Sequence, residues 1–390
     1  MKKYIFLFIG IIGLVSFTGA QTWQAPQRLT WDSIHSSNPV IAVGTGNDMH
    51  IAWTSMFSGG NREIYYKKST DSGSSWMVSK RLTWSSRSFS GHDITVDGLN
   101  RVHIVFSDPL VGNSDLFYKR STDGGTTWDP LKRMTWTSGF KMISCVAFDS
   151  FNNIYVVWSD STPGNAELFL KKSTDGGTSW SPPKRLTWTS GYNWELSLKT
   201  SSANTLHIAY TDDTSGYLDV YYKSSIDGGS SWNSPRRVTW GANEAEAVDL
   251  AIDSGGHINI VWADELVPDT EIFFKKSTNG GTSWSALQRI TWNSGSSYGP
   301  DIDINSSDVY NLVWYDYSPG RGEVFHKKST DNGASWGPIN RLTWSVYDSV
   351  ASSLVSQANN RLHLTWEERL SDDYEIFYKR SNLFVMEINH

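Results

Sequence analysis

Two sets of residues in this 390-residue chain have side chains suited to binding or catalysis. One set recurs at a fixed interval and the other interrupts it. The recurring set is Arg-Leu-Thr-Trp or a near variant, ending at Trp31, Trp84, Trp136, Trp188, Trp240, Trp292 and Trp344. The first interval is 53 residues and the other five are 52. Carboxylates recur with it, as Glu63, Asp115, Glu167, Asp219, Glu271, Glu323 and Glu375, and again as Asp108, Asp160, Asp212, Asp264 and Asp316. An indole beside a carboxylate suits a sugar, which offers an apolar ring face and a rim of hydroxyls. Several equal sites of that kind would add avidity. The competing reading is structural, with each Arg paired to an acid and each Trp packed on the next repeat, because buried polar groups need partners. The sequence favours this second reading.

The residues that break the interval are more specific. Of the 20 tryptophans, 19 fall at repeated positions and Trp194 does not. It lies between Tyr192 and Glu195, and the matching segments of other repeats carry Arg87, His92, Lys141, Glu244, Glu246, Tyr298, Tyr347 and Asp348. An unshared aromatic on an open surface is costly without a partner. The candidate ligand-binding set is therefore Trp194, Glu195, Tyr192, Arg87, Glu244, Glu246, Tyr298, Tyr347 and Asp348. No residue is assigned a catalytic role.

The elements that must hold these residues are strands. Each repeat reads as four short β-rich runs split by Gly, Asn, Asp and Pro turns. Examples are Ser144–Phe148, Tyr155–Trp158, a third run such as Glu63–Lys68, and a fourth ending at Arg-Leu-Thr-Trp. A period near 50 with four strands predicts an all-β, seven-bladed β-propeller of four-stranded antiparallel blades. The seventh repeat lacks its fourth strand, and Thr22–Trp31 matches the missing segment, so the N-terminal strand is expected to close the last blade and remove its free edge. Leu383–His390 has no place in this scheme.

Composition narrows the function classes. A formal charge of −6 gives no basic excess for nucleic acid. A single cysteine, Cys145, excludes an internal disulfide and a cysteine-built zinc site, and reads as a small core residue. The repeated His50, His103, His207 and His363 stand one per repeat, too far apart to share a metal. Paired basics such as Lys67-Lys68 and Lys171-Lys172 read as solvated ends with packed stems. Lys2 and Lys3 before an apolar run ending near Ala20 read as a secretory signal, too short for the roughly 20 residues of a membrane span. The expected organisation is a signal over 1–20 and a single propeller over 21–390. The mature protein is expected to be extracellular or periplasmic and monomeric, with no cofactor or metal and with a glycan or an extracellular protein as partner.

Six glycine turns carry a family signature. They run from Ser69 to Trp76, Ser121 to Trp128, Ser173 to Trp180, Ser225 to Trp232, Ser277 to Trp284 and Ser329 to Trp336. At their third position stand Asp71, Asp123, Asp175, Asp227, Asn279 and Asp331. The pattern resembles the Asp box, or bacterial neuraminidase repeat, of sialidase-like propellers, over essentially the whole chain after residue 20. Read from the residues alone, Asp and Ser side chains tie down turn amides, Gly supplies a positive φ, and the Trp is buried between blades. One or two carboxylates per turn are too few for calcium, which takes six to eight oxygens. The resemblance implies that ligands bind on the opposite face, where the loops from strand four to strand one and from strand two to strand three lie. It also implies three arginines around a substrate carboxylate, a Tyr–Glu nucleophile pair and an Asp acid/base. Arg62, Arg87, Arg321 and Arg369 are available, with Tyr298 or Tyr347 as nucleophile and Glu244 or Glu246 as base. However, the family's early Arg-Ile-Pro motif is absent and the loops after each Arg-Leu-Thr-Trp share one length. The expectation is a non-catalytic glycan-binding propeller, with a sialidase-like glycoside hydrolase and an extracellular protein scaffold as alternatives.

Overall fold

The computed structural model describes residues 22–382 apart from 32–34, 58, 85–88, 109–113, 202–203, 242, 266–268 and 372. Residues 1–20, Arg87 and Leu383–His390 therefore lie outside the described residues. Seven four-stranded antiparallel sheets follow one another. Their innermost strands are His35–Val43, Ser90–Val96, Lys141–Phe148, Asn193–Thr200, Ala245–Ile252, Ser297–Ile304 and Ser349–Ser356, which define blades one to seven. The outer strand of blade seven is Gln27–Arg28, paired with Tyr378 and Phe377, so the N-terminal strand closes the ring as expected. Among the described residues no helix is long and apolar enough to cross a membrane.

Each blade is held by the same residues. The second strand buries a large aromatic, as in Trp53, Trp158, Trp262, Trp314 and Trp366, and a third-strand ring stacks beside it, with Trp314 and Phe325 centroids 5.9 Å apart. In blades three, five and seven the acid two residues after the aromatic caps its indole. Trp158 Nε1 donates to Asp160 at 3.2 Å and Trp366 Nε1 to Glu368 at 3.0 Å. The repeated histidines are structural too, because His50 and His363 Nδ1 meet Tyr66 and Tyr378 hydroxyls at 2.7 and 2.6 Å.

Neighbouring blades lock through the glycine turns. Ser69 Oγ donates to Asp71 and accepts the Gly73 N–H, both at 2.8 Å, while Asp71 takes the Ser75 N–H and hydroxyl at 2.8 and 2.6 Å. In the turn of blade four, bonds from the Ser231 hydroxyl and amide, and from Ser225, hold Asp227 down to about 2. Trp76 then meets Tyr378 of blade seven edge-on at 4.9 Å, as Trp128 meets Tyr66 of blade one. Gly73 has φ +76°, and a Cβ there would come within 1.8 Å of the Tyr378 hydroxyl. Only glycine satisfies both the conformation and the close approach.

The innermost strands surround an axial channel of about 880 Å³. Each carries a register shift near its mouth end, as between Glu246 and Asp249 or Tyr298 and Asp301. Past it, a side chain of one blade takes an amide of the next: Val146 N–H on Asp93, Ile302 N–H on Asp249 and Leu354 N–H on Asp301, at 2.8, 2.9 and 2.9 Å. Lys199 projects among these acids, and although enclosure by protein favours its neutral form, Asp249, Asp301, Asp93 and Asp303 hold its pKa above the usual lysine value. Burial raises Asp93 to about 6. Cys145 packs against the core cluster between blades three and four and also lines this channel, with Sγ 3.2 Å from the Leu196 carbonyl.

Candidate functional site

At the mouth-side end of each outer strand, the recurring Arg and acid form an ion pair, from Arg237–Asp219 at 2.5 Å to Arg81–Glu63 and Arg185–Glu167 at 2.9 Å. The pairs lie within one sheet. The threonine between them donates to an acid, as Thr239 to Asp219 at 2.8 Å, and accepts a third-strand amide, as from Val220 at 2.9 Å. The expected burial of the following tryptophan fails. All seven are exposed, from 65% for Trp31 to 71% for Trp84. The first lysine of each basic pair is also not a solvated end. Lys171 and Lys379 are buried and donate to the Met134 and Leu342 carbonyls of the preceding outer strand at 2.7 and 2.8 Å. A buried ammonium must find oxygen, and the nearest is across the blade boundary.

The mouth proper is asymmetric. In blade four, Asn193 is wholly buried between Thr187 and Asp212, which turns the residues on either side of it outward. Tyr192 and Trp194 stack at 5.6 Å and 29°, each about 40% exposed. Glu195 turns inward, accepts the Val248 N–H of blade five at 3.3 Å, and is raised by burial, with Glu246 adding to the shift.

A second cluster spans blades six, seven and one. Tyr298 and Tyr315 stack at 5.8 Å, with Tyr317 edge-on to them at 6.2 and 6.1 Å. Burial raises Tyr315 to about 12, with Tyr317, Tyr298, Glu367 and Glu195 contributing. Glu367 takes the Asn38 N–H of blade one at 2.7 Å through Oε2. Burial lifts it to about 7 against the pull of that amide and of Arg62. His35 lies against Tyr374 at 4.7 Å, and burial followed by Arg62 lowers its pKa. This arc joins four tyrosines, a carboxyl raised to about 7 by burial, and two arginines, Arg62 and Arg369.

The structure thus brings together only part of the expected set. Tyr192, Trp194 and Glu195 share one stretch of strand. Glu195 and Tyr298 belong to the mouth, linked through Tyr315. The postulated Tyr–Glu pairs do not form. The Tyr298 hydroxyl meets Thr270 Oγ1 at 3.3 Å, and Glu244 caps the Leu218 N–H at 2.8 Å. Glu246 is exposed, and burial raises its pKa ahead of Glu265 and Glu244. Tyr347 is exposed, its amide on Ser345, and Asp348 holds the Gly322 N–H at 2.9 Å. His92 is buried and lowered to about 4 by that burial, while Lys141 donates to the Gly139 carbonyl at 2.7 Å, so both act in the framework. Arg321 is engaged by Val346 and Glu323, and Arg369 by the Ser371 carbonyl. Among the described residues Arg62 and Arg369 bear on the tyrosine arc, Arg369 lying across the strand pair from Tyr374, so two of the four arginines and no three-arginine clamp are brought together there. Nor is any group of three His, Cys, Asp or Glu residues among them arranged to hold a metal ion.

Glu367, Tyr315, Tyr317, Tyr374 and His35 were not singled out by the sequence. Two of them had a signal. The residue after the second-strand aromatic is small in five blades, namely Thr54, Ser107, Ser159, Thr211 and Ala263, but is Tyr315 and Glu367 in blades six and seven. A departure at one strand register marks the site better than variation among loops.

No family model matches the chain. A curated sialidase from Bacteroides fragilis (strain YCH46) is 24% identical over 292 residues, 64% of this chain. The alignment covers 53% of that protein, so the chain spans about half the length of the curated relative it matches. Among solved structures, a polysaccharide lyase, PL25 ulvan lyase, superposes with a TM-score of 0.65 at 12% identity, covering 88% of this chain and 93% of the other. Hadza microbial sialidase Hz136 superposes at 0.52 and 17%, covering 85% and 73%. The fold is a seven-bladed propeller, and the proteins it is similar to include sialidases and a polysaccharide lyase.

Proposed function

We propose that this protein binds a carbohydrate at the mouth of its propeller. The observation that carries the reading is the asymmetric arc of Tyr298, Tyr315, Tyr317 and Tyr374 around Glu367, with the exposed Tyr192–Trp194 pair in blade four. Flat aromatic faces take the apolar side of a pyranose, and a few convergent polar groups fix its hydroxyls. The carbohydrate-acting relatives support the ligand class. The apolar leader over 1–20 supports export, which would place the mouth before extracellular glycans.

Binding without turnover is the primary reading, because Glu195 and Glu367 both pin main-chain amides of the next blade and no arginine clamp assembles among the described residues. One observation favours a second reading, an enzyme acting on the sugar. A carboxyl held near 7 is matched to proton transfer at neutral pH. A glycan array read for retained protein and for released sugar separates the two. Retention with intact glycans, lost in Trp194→Ala or Tyr315→Ala, supports binding. Release that disappears in Glu367→Gln supports the enzyme, and silence in both channels removes the carbohydrate reading.

A further inference from the structure

The mouth does not account for the seven exposed tryptophans on its outer rim. Structure explains the Arg, which pairs with a buried acid in every repeat, and the Thr, which donates to that acid in six repeats and to Asn193 in the other. It does not explain the Trp. Its burial contributes little to the core, yet the chain keeps it in all seven copies while the residue after it varies among Asp32, Ser85, Thr137, Gly241 and Asn293. An exposed indole repeated without structural need points to a surface that is used.

The surroundings of each indole state the chemistry. The Arg of the same repeat lies over it, at 5.5 Å for Arg185 on Trp188 and 4.2 Å for Arg289 on Trp292. In Arg185, Nε donates to the Thr187 carbonyl and Nη2 to Glu167, which leaves Nη1 without a hydrogen bond and the side chain 28% exposed. Arg289 is held in the same way by Thr291 and Glu271. The next blade adds a lysine, 5.1 Å from the Trp240 ring for Lys275 and 5.6 Å from Trp344 for Lys379, each bonded to a carbonyl. At these rings the lysine adds a second cation beside the guanidinium. A flat apolar face, a free guanidinium edge and a neighbouring ammonium fit a pyranose bearing a carboxylate or sulfate.

We propose that the seven Arg-x-Thr-Trp ends form a multivalent binding surface for an acidic polysaccharide, separate from the mouth. Each site alone is weak, and a polymer that engages several gains by effective concentration rather than by new contacts. The inference does not rest on the mouth reading.

The test uses the full chain on immobilised polygalacturonate, with neutral dextran as comparator. Trp31→Ala/Trp136→Ala/Trp344→Ala removes three sites at which both the Arg and the Lys lie against the ring and which support no core, so its melting temperature should stay within a few degrees of wild type. The wild type should bind polygalacturonate more tightly than dextran, more weakly as salt rises, and the triple variant should lose about tenfold or more in apparent affinity. Ile226→Ala, exposed on the face that carries the glycine turns, should leave polymer binding unchanged. Equal binding by wild type and triple variant, equal binding to dextran, or loss only in Ile226→Ala would each overturn the proposal. If the triple variant is unstable, the single variants Trp136→Ala and Trp344→Ala read in the same assay replace it, and unchanged affinity in both would also overturn it.

Discussion

Tryptophan does three different jobs in this chain, and position within the repeat decides which. Trp314 is fully buried on a second strand and Trp188 is 70% exposed on the rim. Trp314→Ala should cost about 3–5 kcal/mol in chemical denaturation, as large-to-small core changes do, while Trp188→Ala should stay within about 0.5 kcal/mol. Equal costs would contradict the assignment. Glu367 makes a pH prediction. Burial raises it from the ordinary 4.5 to about 7, so the fold favours its protonated form. That contribution is present below pH 4.5 and lost as pH rises to about 7. Glu367→Gln cannot ionise. Its melting temperature relative to wild type should therefore climb between pH 4.5 and 7 and level off above. A constant difference would show that Glu367 is not shifted.

At the level of the strand, the repeat was readable because its period and turns are local. The six glycine turns depend on residues within eight positions of one another, and the four-strand reading of each blade held. What the sequence did not reveal was which side chains meet across blades. The first lysine of each basic pair reads as solvent-facing until the neighbouring outer strand is in place, and the rim tryptophans read as buried for the same reason. Tyr315 and Glu367 were hidden because attention to loops misses a substitution inside a strand. The channel offers a check at this level. Lys199 faces Asp93, Asp249, Asp301 and Asp303, so Lys199→Met leaves those carboxyls without their cation. Its loss of melting temperature should be larger at pH 8 than at pH 4.5, because Asp93, raised by burial to about 6, is ionised at the first and protonated at the second. A deficit independent of pH would show that the lysine acts through packing alone.

Seen as one body, the propeller depends on a closure between its ends. Arg28 pairs with Glu375 at 2.7 Å, 347 residues away in the chain, in the geometry that Arg185 and Glu167 use 18 residues apart. The closing pair should be as important as any other. Arg28→Ala and Arg185→Ala should each cost about 1.5–3 kcal/mol, because each removes the charged partner of a buried carboxylate and leaves it only neutral donors. A near-neutral Arg28→Ala would mean that blade seven stands without its N-terminal strand. A closed ring also makes the mouth a rigid frame, so side chains from blades four, six, seven and one can converge there without a mobile loop to assemble them.

That convergence is best tested by diffraction. Crystals of the protein soaked with the oligosaccharide that an array selects should show a sugar ring against Tyr298, Tyr315 and Tyr317, with a polar contact to Glu367. Saturating ligand that leaves this arc empty, or that settles only on the face carrying the glycine turns, would contradict the assignment of the mouth as the binding site.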